Sequence, residues 1–289
     1  MTLFALRRWR EGLFRLILRR ENEVYPKQEG TNEARFPKHF DGKRFYNPDA
    51  RQAPGLIEVL LWKMTSRPEP SPAFIPDVEQ STPPRRVEGS TLRITLVNHS
   101  SVLLQQWGFN ILTDPIWSER ASPLSWIGPR RRRKPGVSWE DLPCIDAVLI
   151  SHDHSDHLDL PTLRRLAARG HSTFIVPARG ARLLRSARIG PAQELDWGDS
   201  LSLPSFTIHC VPALHFSSRG IYDRNTTLWC GYVIECQGRI VYFAGDTGFG
   251  SLSPRFGKSS GRRTWRYCRS ERTNHAGSCR RCTWLRMTQ

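Results

Sequence analysis

The stretch LISHDHSDHLDL, residues 149–160, brings three histidines and two aspartates into the six positions from His152 to His157. Imidazole nitrogen suits zinc, iron or nickel, and a carboxylate adds a harder, negatively charged oxygen ligand. His152 and His154 stand one residue apart, so on a locally extended backbone both rings point the same way. Asp156 and His157 can then turn toward a second metal about 3.5–4 Å from the first, the usual separation in two-metal hydrolytic sites. Solvation of a strand end asks only for polar residues and gives no reason to gather three imidazoles with a carboxylate. A metal site does. The neighbours Asp153, Ser155 and Asp159 read as loop polarity and helix-start capping.

The flanking sequence says what must hold this window. IDAVLI, residues 145–150, is a continuous apolar run, as a strand buried on both faces would be, and LPTLRRLAARG, residues 160–170, has helical spacing and a terminal glycine. The six positions therefore fall on a strand-to-helix connection at the carboxyl edge of a sheet, where side chains converge and ligand sites are commonly built. Upstream, TLRITLV (91–97) and the two apolar runs about Gly108 in SVLLQQWGFNILTDP (101–115) predict strands joined by a tight turn. Downstream, TFIVP (173–177) and FTIHCVP (206–212) predict strands and GARLLRSAR (180–188) a helix. GYVIECQGRIVYFAGD (231–246) predicts a hairpin turning at Gln237 and Gly238. Strands dominate and helices are interleaved, which defines an α/β layered domain. His215 follows one predicted strand and Asp246 ends another, so both can reach the same edge, although Asp-Thr-Gly also suits a plain tight turn. His171 and His209 have no such context and read as surface or sheet residues.

Net charge invites a nucleic-acid or anionic-membrane reading, because the chain of 289 residues carries a formal +16. More than half of that surplus sits in residues 255–289, where nine Arg and Lys258 face only Glu271, so nucleic acid is not the expected partner. Seven cysteines without framework spacing favour a reducing compartment, and a cytoplasmic protein is expected. MTLFALRRWREGLFRLILRR spaces Leu3, Leu6, Trp9, Leu13, Leu16 and Ile17 as the apolar stripe of a basic helix; residues 3–20 could dock on the domain or lie on an anionic membrane surface. From Pro26 to Pro84 the chain is irregular and Pro-rich, a wrapping arm or linker.

HDHSDH matches the His-x-His-x-Asp-His signature of the metallo-β-lactamase superfamily, and four further segments are similar to its branch that includes N-acyl-phosphatidylethanolamine phospholipase D. These are the run from Asn98 to Pro135, LPCIDAVLISHDHSDHLD, LHFSSRGIYDRNTTLWCGYVIE and IVYFAGDTGFG, and the likeness covers roughly residues 36–250, beginning near FDGKRFYNP. The resemblance implies a four-layer αββα sandwich made of two similar halves. It implies that His152, His154 and His215 hold a first zinc, Asp156 and His157 a second, and that Asp246 bridges the two. It places His99 and Asp114 nearby, either as groups that orient ligands or as purely structural residues. Water acidified between two zincs would attack the phosphorus of a phospholipid or other small phosphodiester. An apolar groove should then admit acyl chains, and RNTTLWCGY could line it, with Trp229 and Tyr232 equally fit for the core. A lactonase or nuclease on the same scaffold is the alternative.

Beyond AGDTGFG the resemblance stops, so the second half of the sandwich is expected to be incomplete and the second zinc to lack one histidine. The organisation expected is an N-terminal helix and arm over 1–90, a partial metallo-β-lactamase domain over 91–254 and a basic tail over 255–289. GKSSGRRTWRYCRSERTNHAGSCRRCTWLRMTQ contains one Leu and neither Ile nor Val, so it is expected to have no regular packing and to be disordered from about Gly257. A zinc knuckle of Cys268, His275, Cys279 and Cys282, a nucleic-acid arm, and a shifted reading frame are the readings this tail allows; with the last, the chain is a truncated, non-catalytic family member.

Overall fold

The structure is a computed structural model and describes residues 39–48, 61, 64–65, 79–123, 126–128, 130–220 and 222–248, with the backbone of 254–259 and 262–267. The predicted helix over residues 3–20 and the cysteines of the tail lie outside these residues.

Two sheets carry the fold. The first has six strands in sequence order: β1 (Arg93–Asn98), β2 (Ser101–Gln106), β3 (Phe109–Thr113), β4 (Ala147–Leu149), β5 (Thr173–Pro177) and β6 (Ala192–Leu195). Its first two pairings are antiparallel, and β3 through β6 run parallel. The second sheet is antiparallel, ordered β10 (Arg239–Phe243), β9 (Gly231–Cys236), β8 (Phe206–Val211), β7 (Ser200–Leu203). Helices α1 (Leu160–Ala168) and α2 (Ala181–Ser186) complete the described elements of the domain.

Period-two alternation puts the sheets face to face. Leu104, Ile111, Leu149 and Ile175 of the first sheet pack with Phe206, Ile208, Cys210, Tyr232 and Ile234 of the second. On the other face, Leu103, Leu112, Val148, Phe174 and Val176 meet Leu163 and Leu166 of α1 and Leu184 of α2. Strand β4 is wholly buried because it has a core on each side, which is why its sequence is a continuous apolar run. Each such fully buried aliphatic side chain contributes about 1.5–3 kcal/mol. Two described residues ahead of β1 join the fold: Phe45 enters the core between the sheets, and Arg86 pairs with Asp146 ahead of β4.

Five strands, β1, β3, β4, β8 and β10, end at one edge of this sandwich. In the first sheet, two antiparallel steps bring β1 into line with β3, and β4 runs parallel to β3. In the second, β8 and β10 flank β9 antiparallel to it and so share a direction. His99, Asp114, the window 152–157, His215 and Asp246 each follow one of these five carboxyl ends. The predicted hairpin turns at Gln237 and Gly238, whose φ of 42° and 79° suit a tight two-residue connection.

The described residues of the tail depart from expectation. Residues 254–267 form a hairpin of β11 (Pro254–Ser259) and β12 (Arg262–Tyr267), which pairs with no other described strand. The β-favouring residues Phe256, Thr264, Trp265 and Tyr267, with Ser-Gly between the strands, supply a local reason that a count of aliphatic residues overlooks.

Candidate metal centre

Three imidazoles form the first group. His152 Nε2 lies 2.9 Å from His154 Nδ1, and His215 Nε2 lies 3.2 Å from the same Nδ1. The second group is His99, Asp156 and His157: the Nε2 atoms of His99 and His157 are 3.2 Å apart, and His99 Nε2 is 3.3 Å from Asp156 Oδ2. Asp246 stands between the groups, with Oδ1 3.4 Å from His157 Nε2 and Oδ2 3.9 Å from His215 Nε2. Ligand atoms about 2.0–2.2 Å from one tetrahedral metal are separated by about 3.3 Å, so the donor atoms have the spacing of a coordination shell.

Protonation fits as well. Burial and the neighbouring imidazoles hold His152 well below the ordinary histidine range, and burial also lowers His154. Burial and His154 bring His215 down to about 4. These rings are neutral at pH 7, the form that binds a metal. Hydrogen bonding to His99 holds the Asp156 carboxyl at about 2, and hydrogen bonding to His157 lowers Asp246, so both are ionised. At His157 burial is opposed and outweighed by hydrogen bonds to Asp114 and Asp246, which raise it to about 10.

Asp114 orients both groups. It is fully buried, accepts the Ser151 N–H at 2.7 Å and the Ser151 hydroxyl at 2.6 Å, and takes the Nδ1–H of His157 at 2.7 Å. With its proton given to Asp114, the Ser151 oxygen is left to accept from His152 Nδ1 at 2.9 Å. His152 therefore keeps Nδ1–H and turns its Nε2 lone pair into the site, and His157, held through Nδ1–H, offers Nε2 to a metal once it gives up its second proton. The carboxylate of Asp114 is fully engaged, so its proximity to His152 and His157 is orientation and not a third ligand group. His99 and Asp114 have φ of 38° and 35°, a left-handed backbone that costs about 1–3 kcal/mol and persists where surroundings impose it. Gly245 brings Asp246 in: a Cβ there would lie 2.6 Å from the Ser151 Cβ.

Several residues around the site were not singled out by sequence. Asn47 donates to the His215 carbonyl at 2.7 Å, and Arg219 donates to the carbonyls of Asp153 and Leu158, tying the window to the loop after His215. Asp159 does occupy the N-cap position of α1 but makes no cap hydrogen bond; its carboxylate binds Ser118 and Thr162 instead. Pro161 in the first turn removes one of the N–H groups that a cap would accept. Trp229 and Tyr232 belong to the core, donating to the Ala213 and Ile150 carbonyls, and do not line a substrate surface. His171 is exposed and His209 sits in β8 beside Ser200, as expected of ordinary residues. An apolar cavity among Leu104, Phe109, Phe206, Ile234 and Val241 opens at the strand ends opposite the site and cannot serve as its acyl groove.

Asp153 is not loop polarity: it is buried, with Oδ1 lacking a hydrogen-bond partner. Burial, then Asp223, raises its pKa to about 6. The folded value exceeds the unfolded one, so its stabilising contribution is complete below about pH 4 and is lost as pH rises through 6. Asp153→Asn is therefore expected to stabilise the metal-free protein by about 2 kcal/mol at pH 7 relative to its effect at pH 4, read from urea unfolding. An equal effect at both pH values would show that Arg219 already neutralises the carboxylate.

The layered sandwich, with histidines and carboxylates gathered at the carboxyl edge of both sheets, defines a metal-binding protein of the α/β class. Residues 109–260 match the β-lactamase superfamily domain. An uncharacterized protein of Mycobacterium tuberculosis is 37% identical over 207 residues, covering 71% of this chain and 55% of that protein. The N-acyl-phosphatidylethanolamine-hydrolyzing phospholipase D 1 of Caenorhabditis elegans is 34% identical over 242 residues, 76% of this chain and 68% of the relative. A metal-dependent hydrolase of Opitutus terrae is 31% identical over 166 residues, 56% and 66% of the two chains. The chain belongs to the β-lactamase superfamily and has the metallo-β-lactamase fold. It spans about half the length of the mycobacterial relative. Among the described residues no helix is long and apolar enough to cross a membrane.

Proposed function

We propose that this protein is a metal-dependent hydrolase using two zinc ions, and that its substrate is a phosphodiester of the N-acyl-phosphatidylethanolamine type. In this reading His152, His154 and His215 hold the first ion and Asp156 and His157 take part in the second. The observation that carries it is Asp246, whose two oxygens face Nε2 of His157 and Nε2 of His215, one from each group. When bound, the ion pair supplies Lewis acidity, making a water nucleophilic near neutral pH and neutralising charge at phosphorus. The chain's own part is positional. Asp114 and Ser151 fix the tautomers of His157 and His152, Arg219 holds the loop after His215 against the window, and Asp246 aligns the two groups. The lipid class rests on similarity to the nematode phospholipase.

The test is a panel assayed with zinc-loaded protein: N-acyl-phosphatidylethanolamine, a simple phosphodiester, a lactone and single-stranded nucleic acid. Release of phosphatidic acid from the first is the expected result. Turnover of only the lactone or the nucleic acid would retain the metal reading and replace the substrate, and protein that binds no metal would overturn both.

A further inference from the structure

We propose that His99 is itself a ligand of the second metal, completing a four-donor set with Asp156, His157 and Asp246. The inference rests on the two-metal reading above and adds a ligand to it. A histidine that merely orients a ligand sits behind it, bonded to the ring nitrogen that faces away from the metal. For His157 that place is already filled by Asp114, at Nδ1. His99 meets His157 on the opposite side, Nε2 to Nε2 at 3.2 Å, and the same His99 atom lies 3.3 Å from Asp156 Oδ2. Asp246 Oδ1 adds a fourth donor, 3.4 Å from His157 Nε2. Three of these separations match the edge of a tetrahedron about a zinc, about 3.3 Å; the fourth, His157 Nε2 to Asp156 Oδ2 at 3.9 Å, is wider and leaves room for water.

The placement of His99 suits that role. It occupies the turn between β1 and β2 at φ 38°, and its side chain is 49% exposed, so an ion arriving from solvent can reach it. A turn that needed only to reverse the chain could use glycine or asparagine at such a backbone angle without cost. The histidine expected from later in the sequence is thereby not required for four donors, because a residue from the first hairpin supplies the position.

The test compares wild type with His99→Ala, His99→Gln and His99→Cys, each loaded with zinc or cobalt and analysed for bound metal by mass spectrometry after dialysis at fixed free metal. Wild type is expected to hold two ions. His99→Ala and His99→Gln should keep one, with more than tenfold weaker binding of the second, and circular dichroism should confirm that they fold. His99→Cys should regain the second ion and add a thiolate-to-cobalt absorption band. Glutamine can hydrogen-bond Asp156 but offers no imidazole, so full metal content in His99→Gln would reduce His99 to a positioning residue and overturn the proposal. Two ions in His99→Ala at undiminished affinity, or a single ion in wild type, would overturn it as well. Wild type without any metal would instead bring down the two-metal reading on which it stands.

Discussion

Replacing Asp114 with asparagine is expected to weaken metal binding by up to about 100-fold while leaving the protein folded, and replacing it with alanine to cost about 3 kcal/mol of stability as well. The two variants separate orientation from packing. Asparagine keeps a carbonyl oxygen for the Ser151 N–H but turns an amide toward the Nδ1 of His157, which must then accept instead of donate. A ring that accepts at Nδ1 carries its proton at Nε2, on the side where Asp246 and His99 gather, and that proton blocks the ligand position. The same amide faces the Ser151 hydroxyl, so the chain of bonds that fixes His152 is disturbed too. Alanine removes all three acceptor contacts and strands the buried donors of Ser151 and His157. Competition against a chromophoric chelator reads the affinity, and urea unfolding reads the stability. An asparagine variant that binds metal as tightly as wild type would show that the tautomers are set elsewhere.

Asp114 also marks where the sequence stops being legible. The strand-end window was readable because ligand chemistry concentrates in six consecutive positions after an apolar run, and the structure does bring His152, His154 and His215 to one point. Asp114 could be read equally as an orienting group or a structural one, because its partners Ser151 and His157 lie 37 and 43 residues away and nothing local links them. Strands β6 and β7 left no trace for a related reason. Ala-Gln-Glu-Leu and Ser-Leu-Ser-Leu have little strand preference and are held in place by pairing with β5 and β8. Strand β4, apolar on both faces, needed no such help. In the described part of the tail, composition argued against order, and 254–259 pair with 262–267 as a hairpin of residues that favour strands. Asp153 reads as loop polarity and is buried instead, because a one-residue offset from two histidines says nothing about which face the intervening side chain takes.

The two metal groups should part company on acidification. In the metal-free protein His157 carries a proton held by Asp114 and Asp246 against the opposing effect of burial, with a pKa raised to about 10. A metal entering at Nε2 displaces that proton, so below pH 10 each unit of acidification costs the second group about tenfold in apparent affinity, about 100-fold between pH 8 and pH 6. The first group pays no such cost over the same range. His152 is depressed well below its ordinary value, chiefly by burial, and His215 is brought to about 4, so neither takes up a proton between pH 8 and pH 6. Asp156, held near 2 by His99, stays ionised throughout and does not blur the contrast. The stability consequence has the matching sign: a folded pKa raised above the unfolded 6.5 stabilises the metal-free protein below about pH 6.5 and is lost as pH rises through 10. Dialysis of zinc-loaded protein at pH 8, 7, 6 and 5, followed by metal analysis, is expected to show two equivalents falling to one near pH 6, with the ion of the first group retained at pH 5. Simultaneous loss of both ions, or a His154→Ala protein that keeps its metal best in acid, would mean that His157 does not carry the competing proton.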